Sequence, residues 1–286
     1  MLELASDFKL LGTPLPVSWT PVLAKYELAL KASGLGKGTV RLRVAHMRRL
    51  ARCIGRHTAV PGVTSDQLLT WVARQVWQQE TRRSYYVSFR KFWSWACGVG
   101  LTNIDAAADL PVIEPTDPAP RPASWDAYRA VLMSAPRRER LMLRLSAECG
   151  MRRAEVAQAH SRDLSKRKDG LWILVHGKGG RTRWVPVPAD LAEELLNCGR
   201  GYFFPNHRHP SGHLSADYVG KRVSAMLDDY TMHQLRHMFA DRTYEVKKDL
   251  FVVQQLLGHR KPETTRRYVL VRSADLRATV ETVAYT

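Results

Sequence analysis

The sequence predicts a multidomain protein of α and α+β class: an all-helical first unit, then a mainly helical second unit with one small antiparallel sheet. Three observations predict it. Apolar residues recur at helical spacing from Ser18 to Gly98, the pattern of amphipathic helices packed on one another. Prolines crowd the stretch from Leu101 to Ala123, at Pro111, Pro115, Pro118, Pro120 and Pro122, where a helix cannot continue. Beyond them two strand-sized segments, LWILV and RTRWVPV, flank HGKGG, which reads as a hairpin within an otherwise helical pattern.

Residues 1–17, with Pro14 and Pro16, read as a lead-in. Trp19, Val22, Leu23, Tyr26 and Leu30 share one face of a first helix, ended by Gly34 and Gly36. Val40, Val44, Met47, Leu50 and Ile54 define a second, which also carries Arg41, Arg48, Arg52 and Arg56 along one side. Thr64 and Gln67 suit a capping box for a third helix through Leu68, Leu69, Val72 and Val76. A fourth turns Tyr86, Phe89, Trp93 and Ala96 inward and leaves Arg82, Arg83, Arg90 and Lys91 outside. The helical unit thus covers residues 18–100, and 101–123 reads as an extended linker. In the remaining unit, 124–286, helices are expected around 125–135 and 137–149, followed by the hairpin and further helices.

A length of 286 residues accommodates two domains of ordinary size, and 45% hydrophobic residues with eight Trp argue for packed cores. Lys and Arg number 44 against 27 Asp and Glu, a net charge of +17. Such a field favours a polyanion through counterion release, with ribosomal association or colloidal solubility as the plainer alternatives. The arginine stripes could be solvated helix faces. Few acids lie between residues 37 and 94, and the planar guanidinium fork suits phosphate, so DNA-backbone contact is the favoured reading. Cys53, Cys97, Cys149 and Cys198 form no CxxC pair, as expected of unpaired buried thiols in a reducing cytoplasm. The start, MLELASDFKLLG, lacks a signal-peptide pattern, and apolar runs are too short to span a membrane.

Four short frames carry chemistry. In CGMRRAE, Arg152 and Glu155 are three apart and share a helix face; an ordinary intrahelical ion pair competes with a role for Arg152 on a phosphate oxygen. In HGKGG, Lys178 sits at a glycine-rich turn. It is either a solvated lysine or a general acid for a departing oxygen. The frame is not an NTPase phosphate loop, because Gly179 stands where Ser or Thr is needed. In TMHQLRH, Thr231 is an expected N-cap ahead of His233, Arg236 and His237. The histidines have zinc spacing, but Gln234 replaces the catalytic Glu and Arg236 adds a positive charge, so no metal is expected there. His207, His209 and His213 lie in a loop without Cys support, a poor metal site. The last frame runs from His259 to Tyr268 through RKPETTRR. A lone Tyr is usually packing, and a phenol with a pKa of about 10 attacks poorly. Nearby cations and a base would make it a nucleophile.

Taken together, Gly150-Met-Arg152-Arg-Ala-Glu155, Gly177-Lys178-Gly179, His233-Gln-Leu-Arg236-His237 and Leu257-Gly258-His259 followed by Thr264-Thr265-Arg266-Arg267-Tyr268 resemble the tyrosine recombinase, or phage integrase, family over roughly residues 18–286. The resemblance implies a helical SAM-like core-binding domain at 18–100 and a catalytic domain at 124–286. It implies that Tyr268 attacks the scissile phosphate to form a 3′-phosphotyrosine, with Arg152 and Arg236 clamping the non-bridging oxygens. Lys178 would protonate the leaving 5′-oxygen, His233 would act on the tyrosine proton, and His259 would hydrogen-bond the phosphate. Glu155 and His237 would support them.

The same resemblance implies no cofactor, since the phosphotyrosine stores the bond energy, and no catalytic metal. The implied partners are double-stranded recombination sites bound by a homotetramer on two duplexes, monomeric or weakly associated when free, with a tail after Tyr268 that docks on a neighbour. A directionality factor is a further implied partner, and the bacterial cytoplasm, on DNA, the implied location. Cys149 departs from the small hydroxyl residue often found before the Gly. Seventeen residues ahead of the core-binding domain are too few for an arm-binding domain, so a short, single-site-type recombinase is expected. The favoured reading is a mobile-element or phage integrase. A resolvase of chromosome or plasmid dimers shares its motifs; a type IB topoisomerase fits the tail less well. A catalytically silent DNA-binding regulator is the alternative from another class.

Overall fold

The computed structural model describes residues 13–55, 58–116 and 121–258. The chain divides into two compact units, residues 1–117 and 118–286.

The first unit is built on α1 (Thr20–Ala32), α2 (Lys37–Ile54), α3 (Ser65–Ala73) and α4 (Gln79–Gly98). The faces expected from the sequence are buried: Leu23, Tyr26 and Leu30 on α1, then Val40, Val44, Met47 and Leu50 on α2. Aromatic packing closes the core, with Trp19 stacked on Phe92 at 6.1 Å and Tyr26 edge-on to Phe92 at 5.0 Å. Gly55 permits this closure, since a Cβ there would lie 2.4 Å from Trp19 Nε1. The Thr64–Gln67 capping box forms, each direction at 3.2 Å. Val76 departs from expectation: α3 ends at Ala73, and Val76 is 90% exposed.

The linker expected over 101–123 also differs. Ala106, Ala107 and Leu110 are buried in the first unit's core. Arg90 donates to the carbonyls of Leu110 and Pro111, and Glu80 accepts from the Thr116 backbone at 2.8 Å. The prolines begin only at Pro111, and the buried residues before it pack as turns. Ala107 N–H donates to Asp105 Oδ1 at 2.9 Å, Ala108 N–H to the Asp105 carbonyl and Leu110 N–H to that of Ala107, so the backbone groups are satisfied without a helix.

The second unit contains α5 (Trp125–Ser134), α6 (Arg137–Ala147), α7 (Arg153–Ala157), β1 (Leu164–Arg167), β2 (Gly170–His176), β3 (Thr182–Pro186), α8 (Ala189–Leu196), α9 (Ala216–Ser224), α10 (Met232–Lys247) and α11 (Leu250–Leu257). Its three-stranded antiparallel sheet has the order β1-β2-β3. On β2, Leu171, Ile173 and Val175 face the core and Trp172 and Leu174 alternate away. The hairpin register pairs Leu174 with Trp184 and Val175 with Arg183. Strand β1 was not legible: LSKR has no apolar alternation, and it forms by pairing with β2 and by Arg167 stacking at 4.4 Å over both Trp172 and Trp184. Helix α6 is the centre of the unit, with Leu141, Met142, Leu143 and Leu145 all buried.

The thiols are not uniformly buried as expected. Cys149 is, which pushes its thiol up to about 12, whereas Cys53 and Cys97 are half-buried and Cys198 is exposed. Among the described residues no helix is long and apolar enough to cross a membrane.

Candidate active site

The site assembles around Glu155. Arg152 is the N-cap of α7, and its backbone N–H donates to Glu155 Oε2 at 2.9 Å, so the short helix starts by fixing its own carboxylate. Arg152 Nη1 donates to Oε1 at 2.8 Å. The intrahelical ion pair is therefore real, and it also aims Arg152, whose side chain remains 37% exposed.

Arg236 comes from the second turn of α10, a helix started by a Thr231–Gln234 capping box. Its side chain has no exposed surface. It donates to the carbonyl of Gly150 and, at 2.7 Å, to that of Leu257, with Nη1 3.8 Å from Glu155 Oε2. Gly150 is required on two counts. Its φ is +61°, and a Cβ would lie 2.6 Å from the Phe239 ring.

His233 precedes Arg236 by three residues on α10 and meets the His237 ring edge-to-face at 4.6 Å. Surrounding protein lowers the pKa of His233, and Arg236 and Arg152 lower it further. Burial, His233 and Arg236 bring His237 down to about 4. Both imidazoles are thus held neutral at physiological pH. Lys178 is exposed at the turn between β2 and β3. A Cβ on Gly177 would lie 3.5 Å from Glu155 Oε1, which places the base of that turn beside the carboxylate. His259 and Tyr268 lie outside the described residues.

Sequence reasoning missed Arg183. From β3 it donates Nη1 to Glu155 Oε1 at 3.0 Å and Nη2 to Oε2 at 2.8 Å. Burial alone would raise the Glu155 pKa, but Arg183, the Arg152 backbone and Arg236 outweigh it and hold the carboxyl below its usual range. A signal was available: Arg183 stands two residues before the buried Val185, so strand alternation turns it inward.

The basic residues of the first unit are less uniform than a free stripe. Arg41 and Lys91 are exposed. Arg48 is 3.9 Å from Glu27 and Arg83 is 3.4 Å from Glu80. Arg52 donates to the Thr13 carbonyl at 2.8 Å, and Arg90 holds the 110–111 carbonyls. Arg82 is half-buried, and Arg56 lies outside the described residues.

A buried carboxylate gathering guanidiniums beside neutral imidazoles and a lysine turn is an anion-handling geometry. The model of the phage integrase family matches residues 126–274, over half of the chain. The chain belongs to the tyrosine recombinase family. It is 30% identical to tyrosine recombinase XerC of Rhodospirillum centenum over 224 residues, covering 71% of this chain and 65% of that protein, so it spans less than two thirds of this relative. With tyrosine recombinase XerC of Xanthomonas campestris pv. campestris it shares 30% identity over 250 residues, covering 78% and 76% of the two chains. In fold it resembles a lambda integrase tetramer bound to a Holliday junction, with a TM-score of 0.72 and 16% identity, covering 94% of this chain and 81% of that one. The helical architecture with its small antiparallel sheet is thus that of tyrosine recombinases.

Proposed function

We propose that this chain is a site-specific DNA recombinase that cleaves and rejoins strands through a 3′-phosphotyrosine, using neither ATP nor a catalytic metal. The observation that carries the reading is the convergence of Arg152 and Arg236 at one buried carboxylate, Glu155, beside the Lys178 turn, with His233 near enough to feel the charge of both arginines. In this reading the Tyr268 oxygen attacks the scissile phosphorus. The new O–P bond forms as the P–O5′ bond breaks. Neutral His233 takes the phenolic proton, Lys178 supplies a proton to the departing 5′-oxygen, and His259 donates to the phosphate. Arg152 and Arg236 stabilise charge on the non-bridging oxygens, with Glu155 and His237 supporting them. Arg152 is the exposed member of the pair and Arg236 the enclosed one, so a phosphate meets Arg152 first.

Resealing reverses the same steps with a hydroxyl from a second strand, so the phosphodiester energy is conserved. The partners are two DNA duplexes carrying recombination sites. We carry over the tetrameric arrangement of the lambda integrase complex, assembled on DNA from weakly associated protomers, with a directionality factor as a further partner. Residues 18–100 act as the core-binding domain, where Arg41 and Lys91 offer exposed charge to the backbone. A protein acting on DNA in this way works in the bacterial cytoplasm.

Within this activity, mobile-element integration and resolution of chromosome or plasmid dimers are the two readings. The XerC relatives weigh toward the second. Incubation with a nicked half-site library tests the proposal. A covalent adduct is expected from the wild type and none from Tyr268→Phe, and an adduct retained by that variant would remove Tyr268 as the nucleophile. Recombination of two sites within one supercoiled circle, against joining of separate circles, distinguishes resolution from integration.

A further inference from the structure

We propose that Arg183 is a positioning residue for the arginine pair, a role that rests on the recombinase reading above. The side chain is only 10% exposed, and each of its nitrogens has a defined partner. Nη1 and Nη2 take the two oxygens of Glu155, at 3.0 and 2.8 Å, and Nε donates to the Leu256 carbonyl at 2.7 Å. Arg236 takes the next carbonyl, that of Leu257, at 2.7 Å. Two arginines that share one carboxylate therefore also hold successive carbonyls at the end of α11.

The geometry explains why an arginine is needed. A carboxylate gripped by a planar two-pronged donor cannot rotate about its Cγ–Cδ bond without breaking a hydrogen bond. Glu155 in turn receives Arg152 Nη1 on Oε1 and sits 3.8 Å from Arg236 Nη1 on Oε2. Its plane thus sets where Arg152 points and fixes the negative charge beside Arg236, whose nitrogens are held by the Gly150 and Leu257 carbonyls. The third nitrogen ties that plane to the helix end that leads into Gly258 and His259. Gly258 has a φ of +65°, and a Cβ there would lie 2.8 Å from Arg183 Cδ, so backbone and guanidinium stem are packed directly together. A lysine supplies a point charge and cannot span two carboxylate oxygens and a carbonyl at once. Without Arg183, Glu155 can turn onto Arg152 or Arg236 and withdraw either one from a phosphate.

Arg183 touches no reacting atom in this account, so its signature differs from that of a merely structural residue. The test compares wild type, Arg183→Lys and Arg183→Gln in single-turnover adduct formation. Each is assayed on a nicked half-site with a normal scissile phosphate and on the same half-site with a methylphosphonate there, with rates taken per DNA-bound folded protein. The methylphosphonate lacks the non-bridging charge that the arginines hold, so it depends less on their aim. The phosphate rate should fall about 100-fold or more in both variants, on the scale of losing an oriented donor. The methylphosphonate-to-phosphate ratio should rise by about tenfold or more in the same variants, as expected when stabilisation of a charged transition state is lost. Half-site affinity should stay near wild type. An equal loss on both substrates, or a phosphate rate like that of the wild type, overturns the role. Because the ratio is internal to each variant, partial unfolding does not mimic it. Absence of any wild-type adduct on either half-site would instead sink the recombinase reading itself, and this role with it.

Discussion

Arg183 and Glu155 are joined by two hydrogen bonds, at 3.0 and 2.8 Å, with side chains 10% and 2% exposed. Two elements far apart in sequence, β3 and α7, meet through this pair. A buried pair of this kind adds little net stability when intact, yet removing one partner leaves an uncompensated charge.

Glu155→Gln should therefore destabilise the protein by about 3–5 kcal/mol, the usual cost of breaking a buried pair, read as a lower midpoint in urea. The acid limb should change too. The folded pKa of Glu155 lies below its unfolded value. Its contribution is complete above the ordinary carboxylate range and is lost as pH falls through the depressed folded value. The Gln variant should lose that part of the pH dependence; an unchanged midpoint at neutral pH would refute the hub.

Lys178 is exposed on the turn beside Glu155. As the proposed general acid, its change to Met should slow cleavage by about 10²–10⁴-fold, the range for loss of proton donation. A half-site with sulfur in place of the bridging 5′-oxygen should recover most of that rate, because a thiolate leaves without a proton. No recovery would assign Lys178 to binding instead.

Arg41 and Arg90 should separate in a salt titration. Arg41 is exposed, and Arg41→Ala should reduce the slope of log K against log salt by about 0.9, the value for one lost phosphate contact. Arg90 donates to the Leu110 and Pro111 carbonyls. Arg90→Ala should leave the slope near wild type and lower stability by about 1–3 kcal/mol, through unpaired carbonyls. Equal slopes for Arg41→Ala and wild type would remove that residue from the interface.

His46 provides a pH-dependent readout of the first unit. It stacks on Tyr85 at 3.8 Å, and its Nδ1 is 2.8 Å from Ser88 Oγ, while that hydroxyl donates to Ser84 O at 3.0 Å. With the hydroxyl proton so placed, Nδ1 carries the proton it donates. Burial, then Arg49, brings its pKa down to about 4. Unfolded His titrates near 6.5. As pH falls from there toward 4, the unfolded chain gains a proton that the folded one refuses. Stability should drop by up to about 1.4 kcal/mol per pH unit for each such group. His237 behaves alike. His46→Gln should flatten the urea-midpoint slope between these values, and an unaltered slope would contradict a neutral buried imidazole.

Local sequence was enough for the helices of the first unit, apart from the end of the third, for the Thr64–Gln67 cap and for the β2–β3 hairpin, because periodicity and capping depend on residues within a few positions of each other. The frames holding Arg152, Lys178, His233 and Arg236 were legible for the same reason, as residue types at short spacing. Tertiary packing alone decided how those frames meet. It turned Glu155 into the shared acceptor for Arg183, 28 residues away, and enclosed Arg236 against Gly150, 86 residues away. It also folded the proline-rich stretch after Leu101 onto the first core through Ala106, Ala107 and Leu110. Each of these outcomes comes from desolvating a charge or an apolar surface against a distant partner, which no run of neighbouring residues encodes.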